Sequence, residues 1–290
     1  MPPSRERAPL QRIGIFVAFA ALILVTWEGL KLIGGDPWRT DGWTWEPPLD
    51  IWFASDLLLP HTWDIWGALA NPVQRGSEQS LAQFLLGAAF YTWREAAIGF
   101  LAGAIIGVTL AAVFVHSRLL ERAFVPYVIA SQTIPIVALA PMIVFAFGQD
   151  VLSVVIIATY LTFFPVTIAM IRGLRSPDPR ALELMRSYAA SRWSVFWKLR
   201  MPASLPYLFT ALKISATASI VGAIVGEGPG GIPDGLGRAI VNFNTQYISG
   251  PEKLWATILA SALLGIAFFS LIRIVEVLTL RNRGLRTEAA

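Results

Sequence analysis

Few side chains in this sequence can do covalent chemistry. There is no cysteine, and the only histidines, His61 and His116, are expected on opposite sides of the topology. Disulfides, thiolate metal sites and cysteine catalysis are thereby excluded, and neither a metal nor a cofactor is expected. What remains is a set of polar groups inside long apolar runs. Ser131, Gln132, Thr133 and Pro135 lie in one run, and Thr159, Tyr160, Thr162 and Pro165 in the next. Ser215 and Ser219 lie in a later run that ends at Glu227. Such groups are costly in hydrocarbon unless protein or water satisfies them. Two uses are open: lining a polar path for a solute, or hydrogen bonding between packed helices. A second concentration of polar groups runs from Glu183 through Leu184, Met185, Arg186, Ser187 and Tyr188 to Ala189, with Leu199-Arg200-Met201-Pro202 beyond it. It is cation-rich and amphipathic, and suits docking.

The elements that must hold these residues are membrane spans. The 290 residues are 55% hydrophobic and 14% charged, with a mean hydropathy of +0.60. That is too apolar for a soluble domain. Crossing about 30 Å of hydrocarbon takes roughly 20 apolar residues. Runs 96–115, 123–149, 151–171 and 254–272 contain no Asp, Glu, Lys or Arg. Runs 13–33, with Glu28 and Lys31, and 205–226, with Lys213, bring the count to six. The expected fold class is all-α, a polytopic membrane protein with six transmembrane helices. The first run is longer than a signal-peptide core and lacks a small-x-small cleavage site, so it is read as a retained span.

Charge sets the orientation. With the N-terminus in the cytoplasm, Arg5, Arg7 and Arg12 lie inside, as do Arg118 and Arg122. So do Arg172, Arg175, Arg180, Arg186, Arg192, Lys198 and Arg200, and finally Arg281, Arg283 and Arg286. These are most of the 23 Lys and Arg residues, as the positive-inside rule requires. Both termini are expected in the cytoplasm. The basic pI of about 9.6 reflects this asymmetry, and no nucleic-acid partner is expected.

Four segments follow. Residues 1–33 form an N-terminal tail and the first span. Residues 34–93 form an extracytoplasmic loop and interfacial helix holding Trp38, Trp43, Trp45, Trp52, Trp63, Trp66 and Trp93, most of the eleven tryptophans. Residues 94–280 form a five-helix core with a cytoplasmic loop at 172–204, and 281–290 a cytoplasmic tail. The indole rings suit the headgroup level or a planar ligand. Within 80–91, Leu81, Phe84, Leu85 and Ala88 mark one helix face at the surface. Gly99, Gly103, Gly107 and Ala111 form a small-residue stripe, as do Ala211, Ser215, Ser219 and Ala223. Both predict close helix packing. Residues 227–237 are glycine-rich but lack the Gly-Lys-Ser/Thr of a phosphate loop, and read as a tight outer loop. Arg273 and Glu276, three apart, are expected to pair or snorkel.

The polar loop has its own local signals. Asp178 suits a helix N-cap and Pro179 the first turn. The helix they start places Leu182, Met185 and Ala189 on one side. Ser191 can cap a second short helix carrying Trp193, Phe196 and Trp197, closing at Pro202. Apolar and aromatic surface is left exposed for a partner.

This loop resembles the cytoplasmic signature of permease subunits of bacterial binding-protein-dependent ABC importers: Glu-Ala-Ala, three residues, Gly, nine residues, Ile-x-Leu-Pro. Glu183, Pro202 and the spacing match, while Leu184, Met185 and Ala189 stand at the three small positions. Ser191-Arg192-Trp193, Pro202 to Tyr207, Glu227, Gly235-Leu236-Gly237 and the Pro135 to Pro141 run are similar to the sulfonate, taurine, nitrate, thiamin-pyrimidine and riboflavin branch. The resemblance implies a type I ABC importer permease fold in a bacterial cell membrane. It implies ATPase coupling through Glu183, Leu184, Met185, Ala189, Ser191, Arg192 and Pro202. The partners implied are ABC ATPase subunits, an extracytoplasmic solute-binding protein, a second permease copy and the lipid bilayer. The cargo expected is riboflavin or a thiamin pyrimidine. Two other classes fit less well. A gradient-driven transporter typically carries ionisable residues at mid-membrane, and the long central spans have none. A membrane enzyme needs clustered carboxylates, histidines or a nucleophile–base pair, and none is evident.

Overall fold

The computed structural model describes residues 7–40, 43–74, 76–230 and 232–281. The expectations for Arg5, Arg283, Arg286 and the tail beyond Arg281 lie outside the described residues. In chain order the helices are α1 (Arg7–Gly34), α2 (Thr62–Ala70), α3 (Leu81–His116), α4 (Arg118–Ser131), α5 (Ile136–Phe147) and α6 (Val151–Arg175). They continue with α7 (Pro179–Ser187), α8 (Arg192–Val195), α9 (Met201–Gly230), α10 (Leu236–Thr245) and α11 (Pro251–Arg281). A small antiparallel pair, β1 (Trp38–Thr40) and β2 (Trp43–Trp45), places Trp38 opposite Trp45.

Among the described residues five helical stretches are long and apolar enough to cross a membrane. They are the latter part of α1, then α3, α6, the run from α8 through α9, and α11. The sixth span exists only as a bent pair, because α4 and α5 meet at 99° across a short break. This corrects the reading of 123–149 as one helix. Pro135 lacks a backbone N–H and pushes the residue before it out of helical geometry. The hydroxyls of Ser131 and Thr133 donate to the carbonyls of Val128 and Ala130 at 2.8 and 2.7 Å, closing the end of α4.

The chain forms two compact units. One takes the described residues through Phe84 together with Asn242–Ala256, and the other takes Leu85–Val241 and the chain from Thr257 onward. In the first, polar residues of α1 grip the segment that follows it. Lys31 is fully buried; it pairs with Asp56 and donates to the Leu59 carbonyl at 2.7 Å. Glu28 accepts from the Thr62 amide at 2.8 Å and its hydroxyl at 2.6 Å. Trp27 donates to the Pro60 carbonyl at 3.0 Å and lies edge-on to Trp255. The charges that blemish the first apolar run are therefore tethers.

In the second unit α6 is the central element. Gly103 of α3 lies so close that a Cβ there would sit 2.6 Å from the Thr162 Cβ and 2.7 Å from the Thr159 carbonyl. Gly107 meets the Phe163 carbonyl in the same way. On the other side Gly222 and Gly226 of α9 approach Ala158 and Val154, and Ala211, Ser215, Ser219 and Ala223 are buried. Both stripes are packing seams, where close backbone approach gives the van der Waals contact that holds membrane helices together. Phe100, Ile220 and Phe268 fill one apolar cluster, and Phe114, Met170 and Phe196 another.

Three further readings change. Residues 80–91 are not a separate surface helix: they open α3, whose 36 residues run unbroken for about 54 Å. Nothing between Tyr91 and Ala96 stops a helix. Pro202 does not close the second loop helix. It lies inside the helical run that continues from Arg192, just after a π-turn at Phe196–Arg200 that carries α8 into α9. Finally, α2 and α10 were not anticipated. In α10 the buried Leu236, Ala239 and Phe243 carry the helical spacing that could have revealed it.

Candidate functional site

The segment joining α6 to α9 folds as its sequence dictates. The Asp178 side chain accepts from the Arg180 amide at 2.8 Å, and Pro179 takes the first helical position of α7. The helix ends after Ser187 with two reverse bonds: the Ala190 amide to the Met185 carbonyl at 3.0 Å, and the Ala189 amide to the Arg186 carbonyl at 2.9 Å. These are the paired bonds of a Schellman motif, whose turning residue adopts the left-handed conformation and is usually glycine. Here that residue is Ala189, at φ 53°. The family signature has glycine at this position, and the backbone gives the reason.

Ser191 then caps α8, accepting from the Ser194 amide at 3.2 Å. Trp193 stacks on buried Phe196, and Trp197 meets both rings edge-on. Glu183, Arg186 and Arg192 face solvent. Leu184, Tyr188 and Trp193 are exposed by 58%, 76% and 64%. Met185 is half-buried, as is Pro202 at the start of α9. A short capped helix thus presents one acid, several cations and bare apolar side chains between two membrane-crossing helices. No reacting group is gathered there; the arrangement leaves charged and apolar side chains open on one face.

The polar residues of the apolar runs separate into two groups. Gln132, Thr133 and Pro135 are exposed at the bend between α4 and α5. Tyr160 of α6 donates its hydroxyl to the Ser131 carbonyl, so these five residues meet at one place. The others are absorbed by packing. Thr159 donates to the Gly99 carbonyl at 3.2 Å, and Ser215 to the Thr162 carbonyl at 3.4 Å. Ser219 bonds within its own helix, to the Ala216 carbonyl at 2.9 Å. Glu227 is fully buried, and its carboxylate accepts from the Gly237 amide at 2.7 Å. The Leu236 amide donates to Thr92 at 2.9 Å. Glu227 thereby fastens the start of α10 onto the last turn of α9, and residues 227–230 of the expected outer loop belong to α9.

Two ionic expectations are corrected. Glu276 does not pair with Arg273. Its partner is Lys213 of α9, at 2.8 Å, because α9 and α11 bring a half-buried cation and a buried carboxylate together. His61 is not isolated either. Its Nδ1 lies 2.8 Å from Glu28 and its Nε2 3.7 Å from Asp56, with Trp63 stacked on the ring and Trp38 edge-on. Both ring nitrogens face carboxylates, and the Thr62 hydroxyl is bonded to Glu28. The cluster therefore lacks the hydroxyl–imidazole contact that nucleophilic catalysis needs. His116 bonds the Ala112 carbonyl of its own helix. Among the described residues no group of three His, Cys, Asp or Glu side chains is placed to hold a metal ion.

A bundle of membrane-crossing helices, a bent half-span pair and a capped knob projecting between two spans define a multi-pass transport component. The chain belongs to the family described as "Binding-protein-dependent transport system inner membrane component", which it matches over residues 99–279. The expected all-α fold and importer-permease class hold at this level. Among curated relatives it is 36% identical to the formylaminopyrimidine transport permease protein ThiX of Halalkalibacterium halodurans, over 62% of this chain and 70% of that one. It is 32% identical to the riboflavin transport system permease protein RibX of Chloroflexus aurantiacus, over 57% and 61%. It is 28% identical to the putative aliphatic sulfonates transport permease protein SsuC of Bacillus subtilis, over 63% and 65%.

Proposed function

We propose that this chain forms the membrane path of an ATP-driven importer and takes force from a separate ATPase through α7. The observation that carries the proposal is the α7 knob. It is capped at both ends, leaves Leu184 and Tyr188 bare, and is tied by short connections to α6 and α9. Glu183, Leu184, Met185, Ala189, Ser191, Arg192 and Pro202 form the contact set. Both termini and the knob are cytoplasmic, as the distribution of Arg and Lys requires. The segmentation is an outer Trp-rich region at 34–93, a core at 94–280 and a short tail. Two copies of the chain would enclose the path, with the Ser131–Pro135 break and Tyr160 as its polar lining, and an extracytoplasmic binding protein would deliver the cargo.

The cargo proposed is a thiamin pyrimidine precursor or riboflavin. Its support is the transport role named for the two relatives at 36% and 32% identity. Co-expression with a candidate ATPase and binding protein, followed by uptake assays, tests the reading. ATP-dependent uptake of a pyrimidine or flavin is expected. Robust taurine or nitrate uptake without either would overturn the cargo. Uptake that follows an ion gradient and needs no ATPase would overturn the importer reading in favour of a secondary transporter.

A further inference from the structure

The core unit holds one feature that packing, docking and path leave unused. Beside α7 lies a cleft of about 810 Å³ into which four arginines and one carboxylate converge: Arg118, Arg122, Arg175, Arg200 and Glu121. Two of the arginines are already engaged. Arg175 pairs with Glu121, and Arg200 donates to the Leu174 carbonyl at 3.1 Å. Arg118 and Arg122 are exposed, stand one turn apart on α4, and have no ion-pair partner among the described residues. The remaining wall is apolar, formed by Val115, Val125, Pro126 and Leu182.

We propose that this cleft binds a phosphate mono- or diester anion, with Arg118 and Arg122 supplying the open guanidinium forks and Arg175 and Arg200 the fixed positive field. Four guanidinium groups against one carboxylate leave an excess of positive charge among the residues lining the cleft. The planar fork of arginine matches phosphate oxygens two at a time. The cleft also offers two chemistries side by side, a cationic floor and an apolar wall, and α4 turns from charged to apolar just past Arg122. An amphiphile with an anionic headgroup fits both, and basic pockets between membrane helices commonly take such headgroups. A water-soluble phosphate ester would satisfy the floor alone.

The test requires neither cargo nor ATPase, so it stands apart from the transport reading. Full-length protein in neutral detergent is offered phosphatidylglycerol, phosphatidylcholine or glycerol 3-phosphate, and the bound species are counted by native mass spectrometry. Retention of phosphatidylglycerol over phosphatidylcholine is expected. That preference should fall about fivefold in R118Q and further in R118Q/R122Q. R172Q, which removes an exposed arginine that does not line the cleft, should leave it unchanged. Preference for the lipid over glycerol 3-phosphate identifies a headgroup site. Saturable glycerol 3-phosphate binding that R118Q/R122Q abolishes identifies a phosphate site filled from solution. Equal retention of both lipids, or equal losses in R172Q and R118Q, would overturn the proposal.

Discussion

Helices α6 and α7 are neighbours in sequence, separated only by Ser176, Pro177 and Asp178, yet they differ in every physical respect. The 25-residue α6 buries both faces, against the glycines of α3 on one side and those of α9 on the other. The nine-residue α7 has no fully buried residue, is capped at both ends, and packs only through half-buried residues such as Leu182 and Met185. An element like α6 finds its partners inside the chain. An element like α7 has its ends satisfied and its sides open, which is the condition of a surface held ready for another molecule. The contrast teaches that a membrane helix with a continuous small-residue seam is internal structure, whereas a short, doubly capped helix with bare apolar side chains is not.

Substitutions can break or sharpen this contrast, judged first by the stability of the purified protein in mixed detergent micelles. Gly103→Leu should cost the most, about 3 kcal/mol, because its side chain must displace the α6 backbone. Tryptophan fluorescence through a denaturing-detergent titration reads the loss, and an unshifted midpoint would sink the account of the α3–α6 seam. Lys213→Met leaves Glu276 buried without its cation and should cost about 2 kcal/mol. Adding Glu276→Leu should restore most of that, and a double variant as unstable as the single would refute the pairing. Ala189→Gly should act in the opposite direction, stabilising by about 1 kcal/mol, since glycine adopts the left-handed turn without the penalty alanine bears. Its readout is a higher midpoint with transport retained. Glu183→Arg should move stability least, by no more than about 0.5 kcal/mol, while abolishing ATP-dependent transport in the assembled complex. If it transports normally, α7 is not the coupling contact. If it destabilises the chain as much as Gly103→Leu does, the contrast between the two helices fails.

Features governed by local rules were legible in the sequence. Asp178-Pro179 and Ser191 named their caps, because an N-cap depends on the next two or three residues. The stripe Gly99, Gly103, Gly107 announced a seam, because every fourth residue shares a face. Hydropathy could not show the bend at Pro135, since residues 123–149 are apolar on both sides of it and the average carries no direction. Nor could it separate Thr159 and Ser215, whose hydroxyls pin helices together, from Gln132 and Thr133, which are left at the surface. Partners far apart in sequence were out of reach altogether. Lys213 with Glu276, and Glu28 with His61 and Thr62, depend on helix neighbours that no local pattern specifies. The helix α10 was within reach, because Leu236, Ala239 and Phe243 already carry its helical spacing.

The π-turn at Phe196–Arg200 has a mechanical consequence. It joins α8 to α9 without a loop, so from Arg192 onward the backbone is one hydrogen-bonded rod reaching past Gly226. The α7 helix is set off from both neighbours, by Ser176–Asp178 on one side and Tyr188–Ser191 on the other. Under the proposed coupling, a push on α7 that moved Ser191 would therefore be carried along α9 as the swing of a single lever.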